Sequence, residues 1–200
     1  MQEAAADLVL KHLRRCNAIL VGEFRLSSGA TSHIYIDARR LLGDPEARAT
    51  ITSLLAARIA DIIDDVDVIA GLATAGIPWA TLLAAHYSKP LAYVRSRGKG
   101  HGLGRMVEGA ECRGRRILIV DDVATTGGSL LHGVRALRSE GGVVEYALVI
   151  VDRGQGAREN LAREGVELLS LTTLSEILAS MLKSGMITEK EFRSLRETIL

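Results

Sequence analysis

Short, unbroken hydrophobic runs along the chain alternate with longer stretches in which apolar residues recur every three or four positions. Several of the runs are rich in β-branched residues, which is typical of strands that are buried on both faces of a sheet. The predicted strands are residues 66–72, 91–95, 117–120, 144–151 and 167–171. The stretches with helical spacing are residues 77–87, 130–140 and 155–164. This alternation predicts an α/β fold with a mostly parallel central sheet flanked by helices.

The N-terminal part of the chain lies outside this alternation. Residues 1–15 mix charged side chains with alanine and leucine, which indicates an amphipathic helix and not a signal peptide. Residues 20–39 alternate in places between apolar and polar positions and break at residues 27–29, Ser-Ser-Gly. This pattern predicts a small N-terminal hairpin.

Capping signals mark the start of three further helices. Asp44 and Pro45 supply an N-cap and a first-turn proline for an alanine-rich helix that runs to Ile63. Capping boxes at residues 173–176 and 188–191 start two closing helices. Since the sequence has no internal repeat or linker, we expect one domain over residues 1–200. Its expected parts are the N-terminal helix and hairpin at about 1–40, a core at about 44–171 and C-terminal helices at about 174–200.

Composition and charge exclude several classes of protein. The 200 residues are 48% hydrophobic, which is enough for one domain to bury a substantial core. The formal net charge of +1 favours neither nucleic acid nor a membrane surface, and no stretch reaches the roughly 18 apolar residues of a membrane span. Cys16 and Cys112 are too few for a disulfide framework and lack metal-ligand spacing. We therefore expect a cytoplasmic location.

The most informative stretch is the predicted strand at residues 117–120 with the loop after it. Asp121 and Asp122 follow the strand, and Thr-Thr-Gly-Gly-Ser at residues 125–129 leads into the next helix. Ligands of α/β sheets bind outside the carboxyl ends of strands, and backbone N–H groups at a helix start suit a phosphate. The carboxylates suit sugar hydroxyls or a metal. The spacing matches neither a P-loop nor a Rossmann turn, and the simpler alternative is an acidic surface turn without a ligand.

Two other segments carry related chemistry. Residues 71–77, Gly-Leu-Ala-Thr-Ala-Gly-Ile, end one predicted strand and open a helix, so the backbone could approach a ligand closely. Tight turns of this kind also use glycine simply for packing. Residues 96–114 contain six glycines and little apolar periodicity, and the cations at their start are Arg95, Arg97, Lys99, His101 and Arg105. This segment is either a lid that closes over a polyanion or a solvated connector.

The motif at residues 117–129 resembles the phosphoribosyl-diphosphate (PRPP) binding motif of the type I phosphoribosyltransferases. Residues 95–104 are similar to the catalytic loop of the orotate phosphoribosyltransferases of that family, in which a lysine is followed two residues later by His-Gly-x-Gly. Residues 151–153, Val-Asp-Arg, resemble the strand end at which those members meet the orotate carboxylate. Residues 24–29, with Tyr35 and Asp37, resemble their hood hairpin over the pyrimidine, and all these matches keep their order along residues 22–153.

The resemblance implies the type I phosphoribosyltransferase fold with a small N-terminal hood hairpin. It implies a pentosyl transfer in which orotate and PRPP give orotidine 5′-monophosphate and pyrophosphate, a step of UMP biosynthesis, with Mg²⁺ as cofactor. The Mg²⁺ would be held mainly by PRPP, with Asp121 and Asp122 as candidate contacts. A homodimer is also implied, in which the 96–108 loop reaches the active site of the partner subunit.

The resemblance also implies roles for individual residues. The implied catalytic residues are Lys99, His101, Arg95, Asp121 and Asp122. The residues implied in PRPP binding are Arg95, Lys99, His101, Asp121, Asp122, Val123, Ala124, Thr125, Thr126, Gly127, Gly128, Ser129, Thr74, Ala75 and Gly76. Those implied in orotate binding are Thr125, Arg153, Ser27 and Phe24.

The chain departs from the family pattern at three positions. Many bacterial members carry lysine where this chain has Ser27, Ala75 and Ser96. Arg97 is a candidate replacement for one of these cations, although arginine and lysine differ in geometry and hydration. Two alternative functions stay open: a non-catalytic PRPP- or nucleotide-sensing regulator of the same fold, and a phosphoribosyltransferase for another base. A regulator that binds nucleic acid would be expected to carry a basic face or a helix-turn-helix extension, and the sequence has neither.

Overall fold

The computed structural model describes residues 2–25, 31–96 and 106–197 of the chain. Within these residues the α-helices are α1 Gln2–Arg15, α2 Pro45–Ile59, α3 Gly76–Tyr87, α4 Gly128–Ser139, α5 Ala157–Ala162, α6 Leu174–Lys183 and α7 Glu189–Glu197. The strands are β1 Ile19–Arg25, β2 Thr31–Ile36, β3 Val68–Leu72, β4 Leu91–Val94, β5 Val107–Gly109, β6 Arg116–Val120, β7 Val123–Ala124, β8 Val143–Asp152 and β9 Glu167–Thr173. A 3₁₀ helix at Ala38–Gly43 precedes α2, and another at Ile63–Asp65 follows it.

The central sheet has the strand order β5-β4-β3-β6-β8-β7, and β9 also pairs with β8. Its neighbours pair in parallel, except that β5 runs antiparallel to β4 at one edge. Parallel neighbours require crossover connections, and α3, α4 and α5 lie between successive strands of the chain. The prediction of an α/β fold with a mostly parallel sheet flanked by helices is therefore confirmed.

The sheet is buried on both faces. In β6, Leu118 and Val120 belong to the apolar cluster formed with α1, α2, α3 and α6. Ile117 and Ile119, which point to the opposite face, belong to the cluster formed with α4 and α5. The unbroken aliphatic run in the sequence therefore reflects two hydrophobic layers that meet the same strand, as predicted.

The predicted N-terminal hairpin forms a separate two-stranded sheet. β1 and β2 pair antiparallel from Ile19 opposite Ile36 to Arg25 opposite Thr31, with an irregularity between Val21 and Phe24. Ile34 and Ile36 are buried in the cluster on the α1 side of the main sheet, which anchors the hairpin to the core. The predicted break at residues 27–29 lies outside the described residues.

Three predicted boundaries need correction. The helix expected to reach Ile63 ends at Ile59, and the turn at residues 60–62 leads into the 3₁₀ helix at Ile63–Asp65. The helix expected over residues 155–164 is only Ala157–Ala162. The segment 96–114 was expected to be a loop, but β5 lies within it and pairs with β4. Three residues are too few to give a recognisable periodicity, so this edge strand has no sequence signal.

In the parts of the chain that the structure describes, none of the helices has the length and apolar character needed to span a lipid bilayer.

Candidate active site

The loops that follow β3, β6 and β8 lie along one edge of the sheet. These three strands are parallel neighbours, so their carboxyl ends point in the same direction. Residues 73–76 follow β3, residues 121–129 follow β6, and Arg153 follows β8. Three segments that are far apart in the sequence therefore lie at the edge where α/β sheets bind ligands.

A small cavity of about 220 Å³ lies over the loop after β6. Its lining residues are Asp121, Val123, Ala124, Thr125, Thr126, Gly127, Gly128, Ser129 and Leu130. The side chain of Ala124 is buried in the core, while Thr126, Gly128 and Ser129 are exposed to solvent. Because α4 begins at Gly128, its first N–H groups and the hydroxyls of this loop form a concave site whose polarity suits a phosphate.

The shape of this loop is fixed by contacts that the sequence did not predict. Gly127 has a φ of +80°, a left-handed conformation that favours glycine. A Cβ at this position would come within 3.2 Å of the Cα atom of Ala157 on α5. Asn160, also on α5, donates a hydrogen bond of 2.9 Å from Nδ2 to the carbonyl of Thr126. The start of α5 therefore supports the cavity from behind, and sequence reasoning missed Asn160 because nothing in its local pattern marks it.

The loop after β3 packs tightly against the loop after β6. A Cβ on Gly76 would lie 2.2 Å from the carbonyl oxygen of Val120, and a Cβ on Gly71 would lie 2.6 Å from the Cα of Ile77. Both glycines are therefore required by packing. Thr74 is exposed and Ala75 is half-buried, and the peptide bond between Ala73 and Thr74 is cis. A role of residues 74–76 in PRPP binding stays a prediction.

Asp121 and Asp122 form a half-buried acidic pair at the end of β6. The backbone N–H of Asp122 donates to Oδ1 of Asp121 at 2.9 Å, and the N–H of Val123 donates to Oδ1 of Asp122 at 2.8 Å. Burial, followed by the neighbouring charge of Asp122, raises the pKa of Asp121 to about 8. Burial also raises the pKa of Asp122, whereas the Val123 N–H and the charge of Arg39 oppose that rise. Without a ligand, Asp121 therefore keeps its proton at neutral pH, and a bound cation or donated hydrogen bonds would favour its ionised form.

The donor set of this pair fits one kind of metal binding. Among the residues that the structure describes, no group of three or more His, Cys, Asp or Glu side chains could hold a metal ion. Mg²⁺ commonly uses one or two carboxylates together with substrate phosphates and water, not a complete protein cage. Asp121 and Asp122 fit a Mg²⁺ ion that is held mainly by a phosphorylated substrate.

Arg153 lies beneath the N-terminal hairpin at the end of β8. Its side chain is buried, and Nη2 donates to the carbonyl of Ile34 at 3.2 Å while Nε donates to Oε1 of Gln155 at 3.2 Å. Burial lowers the pKa of the guanidinium group. In the hairpin, the rings of Phe24 and Tyr35 pack with their centroids 5.6 Å apart. The buried Arg153 thus contacts β2, the strand that carries Tyr35 of the aromatic pair, and this combination suits a flat, anionic ligand.

Arg39 was not among the predicted site residues, although it follows the Tyr35 and Asp37 positions of the hairpin motif. Its Nε lies 2.6 Å from Oδ1 of Asp37, and its Nη2 donates to the hydroxyl of Tyr35 at 3.2 Å. Since its charge also lowers the pKa of Asp122, Arg39 contacts the hairpin and lies within electrostatic range of the acidic pair.

The remaining predicted residues lie at or beyond the end of β4. The N–H of Arg95 donates to the carbonyl of Met106 at 2.9 Å, and its Nη1 lies 3.6 Å from Oε1 of Glu108 on β5. Arg95 therefore stands at the base of the cationic segment. Lys99, His101 and Ser27 lie outside the described residues, and their predicted roles stay predictions.

The family described as "Phosphoribosyl transferase domain" matches residues 38–169 of the chain. A relative from Aeropyrum pernix named orotate phosphoribosyltransferase is 47% identical over 179 residues, which cover 90% of this chain and 96% of that protein. The solved orotate phosphoribosyltransferase from Aeropyrum pernix gives a TM-score of 0.80 at 46% identity and covers 90% of this chain and 99% of that one. The orotate phosphoribosyltransferase of Mycobacterium tuberculosis, solved in complex with PRPP, gives a TM-score of 0.70 at 31% identity and covers 86% and 98% of the two chains.

Proposed function

Because the chain belongs to the orotate phosphoribosyltransferases of the phosphoribosyltransferase family, we propose that it transfers the 5-phosphoribosyl group of PRPP to orotate. The products are orotidine 5′-monophosphate and pyrophosphate. One observation carries this proposal: the phosphate-sized cavity, the acidic pair and the buried Arg153 all lie at the same edge of the sheet. Together these features match the 5′-phosphate, the ribose hydroxyls and the orotate carboxylate.

In the proposed complex the loop at residues 125–129 holds the 5′-phosphate of PRPP. The first N–H groups of α4 and the hydroxyls of this loop donate to the phosphate oxygens. Asp121 and Asp122 accept hydrogen bonds from the ribose hydroxyls, and PRPP binding therefore favours the loss of the proton that Asp121 holds in the free protein. The Arg153 guanidinium forms a two-point contact with the orotate carboxylate, and Phe24 borders the base.

The reaction breaks the bond between C1′ of the ribose and the pyrophosphate oxygen and forms a bond from C1′ to a ring nitrogen of orotate. That nitrogen loses its proton, which balances the proton that the departing pyrophosphate takes up. As the bond breaks, the ribose gains positive charge and the leaving group gains negative charge, so the site must neutralise the pyrophosphate and hold the base in line. Arg95 and Lys99 supply the positive charge in this proposal, and His101 gives the departing pyrophosphate a proton. Asp121 and Asp122 would help to hold a Mg²⁺ ion that arrives with PRPP, which would supply Lewis-acid stabilisation of the developing negative charge.

The proposal includes three further parts that follow from the family. Residues 74–76 border the pyrophosphate, because they lie beside the acidic pair at the same sheet edge. The chain acts as a homodimer in which the 96–108 segment reaches the site of the partner subunit. It works in the cytoplasm.

The test is a spectrophotometric assay of orotate depletion with PRPP and Mg²⁺, run beside uracil and hypoxanthine as acceptors. Orotate should be consumed far faster than either alternative base. Consumption of hypoxanthine or uracil instead would assign the chain to another base, and PRPP binding without turnover of any base would favour the regulator.

The variant Arg153→Ala examines the acceptor site directly. It should weaken orotate binding by about 2–5 kcal/mol, as expected when one partner of a desolvated charge pair is removed. The control is Arg193→Ala, which removes an exposed arginine on α7. Orotate affinity that is unchanged in Arg153→Ala would remove this residue from the site.

A further inference from the structure

We propose that Arg39 is a positioning residue for the acceptor base, and that it acts through the hydroxyl of Tyr35 to hold the N-terminal hairpin in register over Arg153. This inference rests on the proposed function, because it assigns Arg39 to the orotate side of the same site. Arg39 lies just after β2, whereas the other proposed site residues that the structure describes lie on the hairpin or at the edge of the main sheet.

The guanidinium of Arg39 is held at two points. Nε lies 2.6 Å from Oδ1 of Asp37, and Nη2 donates to the Tyr35 hydroxyl at 3.2 Å. Two contacts from different nitrogens fix the plane of a guanidinium group, which a lysine ammonium cannot reproduce. Asp37 is only 19% exposed, although 57% of the Arg39 side chain is accessible to solvent. Two contacts therefore orient the guanidinium of Arg39, while the rest of its side chain stays accessible to solvent.

Tyr35 connects this arginine to the acceptor side. Its ring packs against Phe24 of β1, and the residue before it, Ile34, accepts a hydrogen bond from Nη2 of Arg153 at 3.2 Å. Burial lowers the pKa of Arg153, and Tyr35 opposes that effect, so the tyrosine lies close enough to influence the buried guanidinium. A single strand thus carries the contact partner of Arg39, the aromatic partner of Phe24 and the carbonyl that orients Arg153.

The hairpin depends on such contacts, because isolated two-stranded sheets are marginally stable. Ile34 and Ile36 anchor one face of β2 in the core, whereas Tyr35 points the other way along the strand. The Arg39 contact fixes the position of Tyr35 from the side that the core does not reach. Loss of this contact should leave the fold intact and loosen the arrangement of Phe24, Tyr35 and Arg153.

The neighbouring arginine provides a matched control. Arg40 also lies near Asp37, with Nε 3.6 Å from Oδ2, but its Nη1 donates to the carbonyl of Asn17 at 3.0 Å and not to Tyr35. The side chains of the two arginines are similarly exposed, at 57% and 48%. An effect specific to Arg39 therefore cannot come from the loss of charge near Asp37 alone.

The experiment compares steady-state constants for wild type, Arg39→Ala, Arg39→Lys, Tyr35→Phe, the double variant Arg39→Ala/Tyr35→Phe, and Arg40→Ala. Loss of the Arg39 contact should raise the KM for orotate by about tenfold, the scale of one charged hydrogen bond in a partly exposed position. Tyr35→Phe keeps the charge of Arg39 near Asp122, so in that variant the KM for PRPP and kcat should change less than about threefold, because the PRPP contacts and the reacting atoms are untouched. Arg39→Lys should resemble Arg39→Ala, and Arg40→Ala should resemble wild type.

The double variant distinguishes positioning through Tyr35 from a general structural loss. If Arg39 acts through the tyrosine hydroxyl, the double variant should be no worse than the poorer single variant. The inference would be overturned if the increases in the orotate KM of the two single variants multiplied in the double variant. A change confined to the KM for PRPP, or an equal loss in Arg40→Ala, would also overturn it. Should Arg39→Ala fold poorly, Arg39→Lys and Tyr35→Phe provide the same test.

Failure of the inference is distinct from failure of the proposed function. A wild-type chain that does not consume orotate would reject both. A wild-type chain that consumes orotate, with an orotate KM in Arg39→Ala within twofold of wild type, would reject the role of Arg39 alone.

Discussion

The variant Asp121→Asn should make the ligand-free protein more stable while it impairs the proposed reaction. Folding raises the pKa of Asp121 to about 8, whereas an unfolded aspartate titrates near roughly 4. Between these two pH values the unfolded chain loses a proton that the folded chain keeps. The free energy of unfolding of wild type should therefore fall as the pH rises from about 4 to about 8 and level off above that.

The size of the effect follows from this interval. Each pKa unit corresponds to about 1.4 kcal/mol, so the roughly three units between pH 4 and pH 7 set an upper limit of about 4 kcal/mol at neutral pH. Since the side chain is half-buried, water screens part of this cost, and we expect a gain of about 1–3 kcal/mol for Asp121→Asn. Asparagine can keep Oδ1 as the acceptor for the N–H of Asp122, so little is lost in exchange.

The assay is urea unfolding of both proteins at pH 5, 7 and 8.5, without divalent cations or phosphate. The gain in the free energy of unfolding of Asp121→Asn over wild type should increase with pH. The turnover of the variant with PRPP should be lower than that of wild type. Asp64→Asn is the control, because Asp64 is an exposed aspartate in the 3₁₀ helix after α2. A gain that is the same at every pH, or absent at pH 8.5, would refute the explanation by a buried, protonated carboxyl group.

Three further predictions concern packing, the cationic segment and a helix cap. Gly76→Ala should lower the free energy of unfolding, measured in urea, by about 1–3 kcal/mol, because its Cβ would lie 2.2 Å from the carbonyl oxygen of Val120. Gly43→Ala is the control and should have little effect, because nothing lies within 4 Å of its Cβ. Lys99→Ala should lower kcat by orders of magnitude while PRPP binding survives, and unchanged turnover would make the segment a connector. Thr173→Ala should cost about 1 kcal/mol in the same urea assay, because Thr173 caps α6 through a capping box, and Thr173→Ser should restore most of that loss.

The elements that the sequence determined are those whose signal is local. The buried strand at residues 117–120 could be recognised because two hydrophobic layers require apolar residues at every position. The N-cap at Asp44 and the capping box at residues 173–176 could be recognised because a cap lies within a few residues of the N–H groups that it binds. The motif at residues 121–129 could be assigned to a sheet edge because it directly follows a strand.

Only the tertiary structure decided how these parts meet. The bracing of Thr126 by Asn160 joins residues 34 positions apart, and the contact of Arg153 with Ile34 spans 119 positions. The strand β5 was missed because its pairing with β4, and not its own three residues, defines it. The raised pKa of Asp121 likewise depends on burial by surrounding elements. Composition and periodicity report which side chains must be buried or exposed, whereas the distances that set protonation and site geometry exist only once distant segments have packed together.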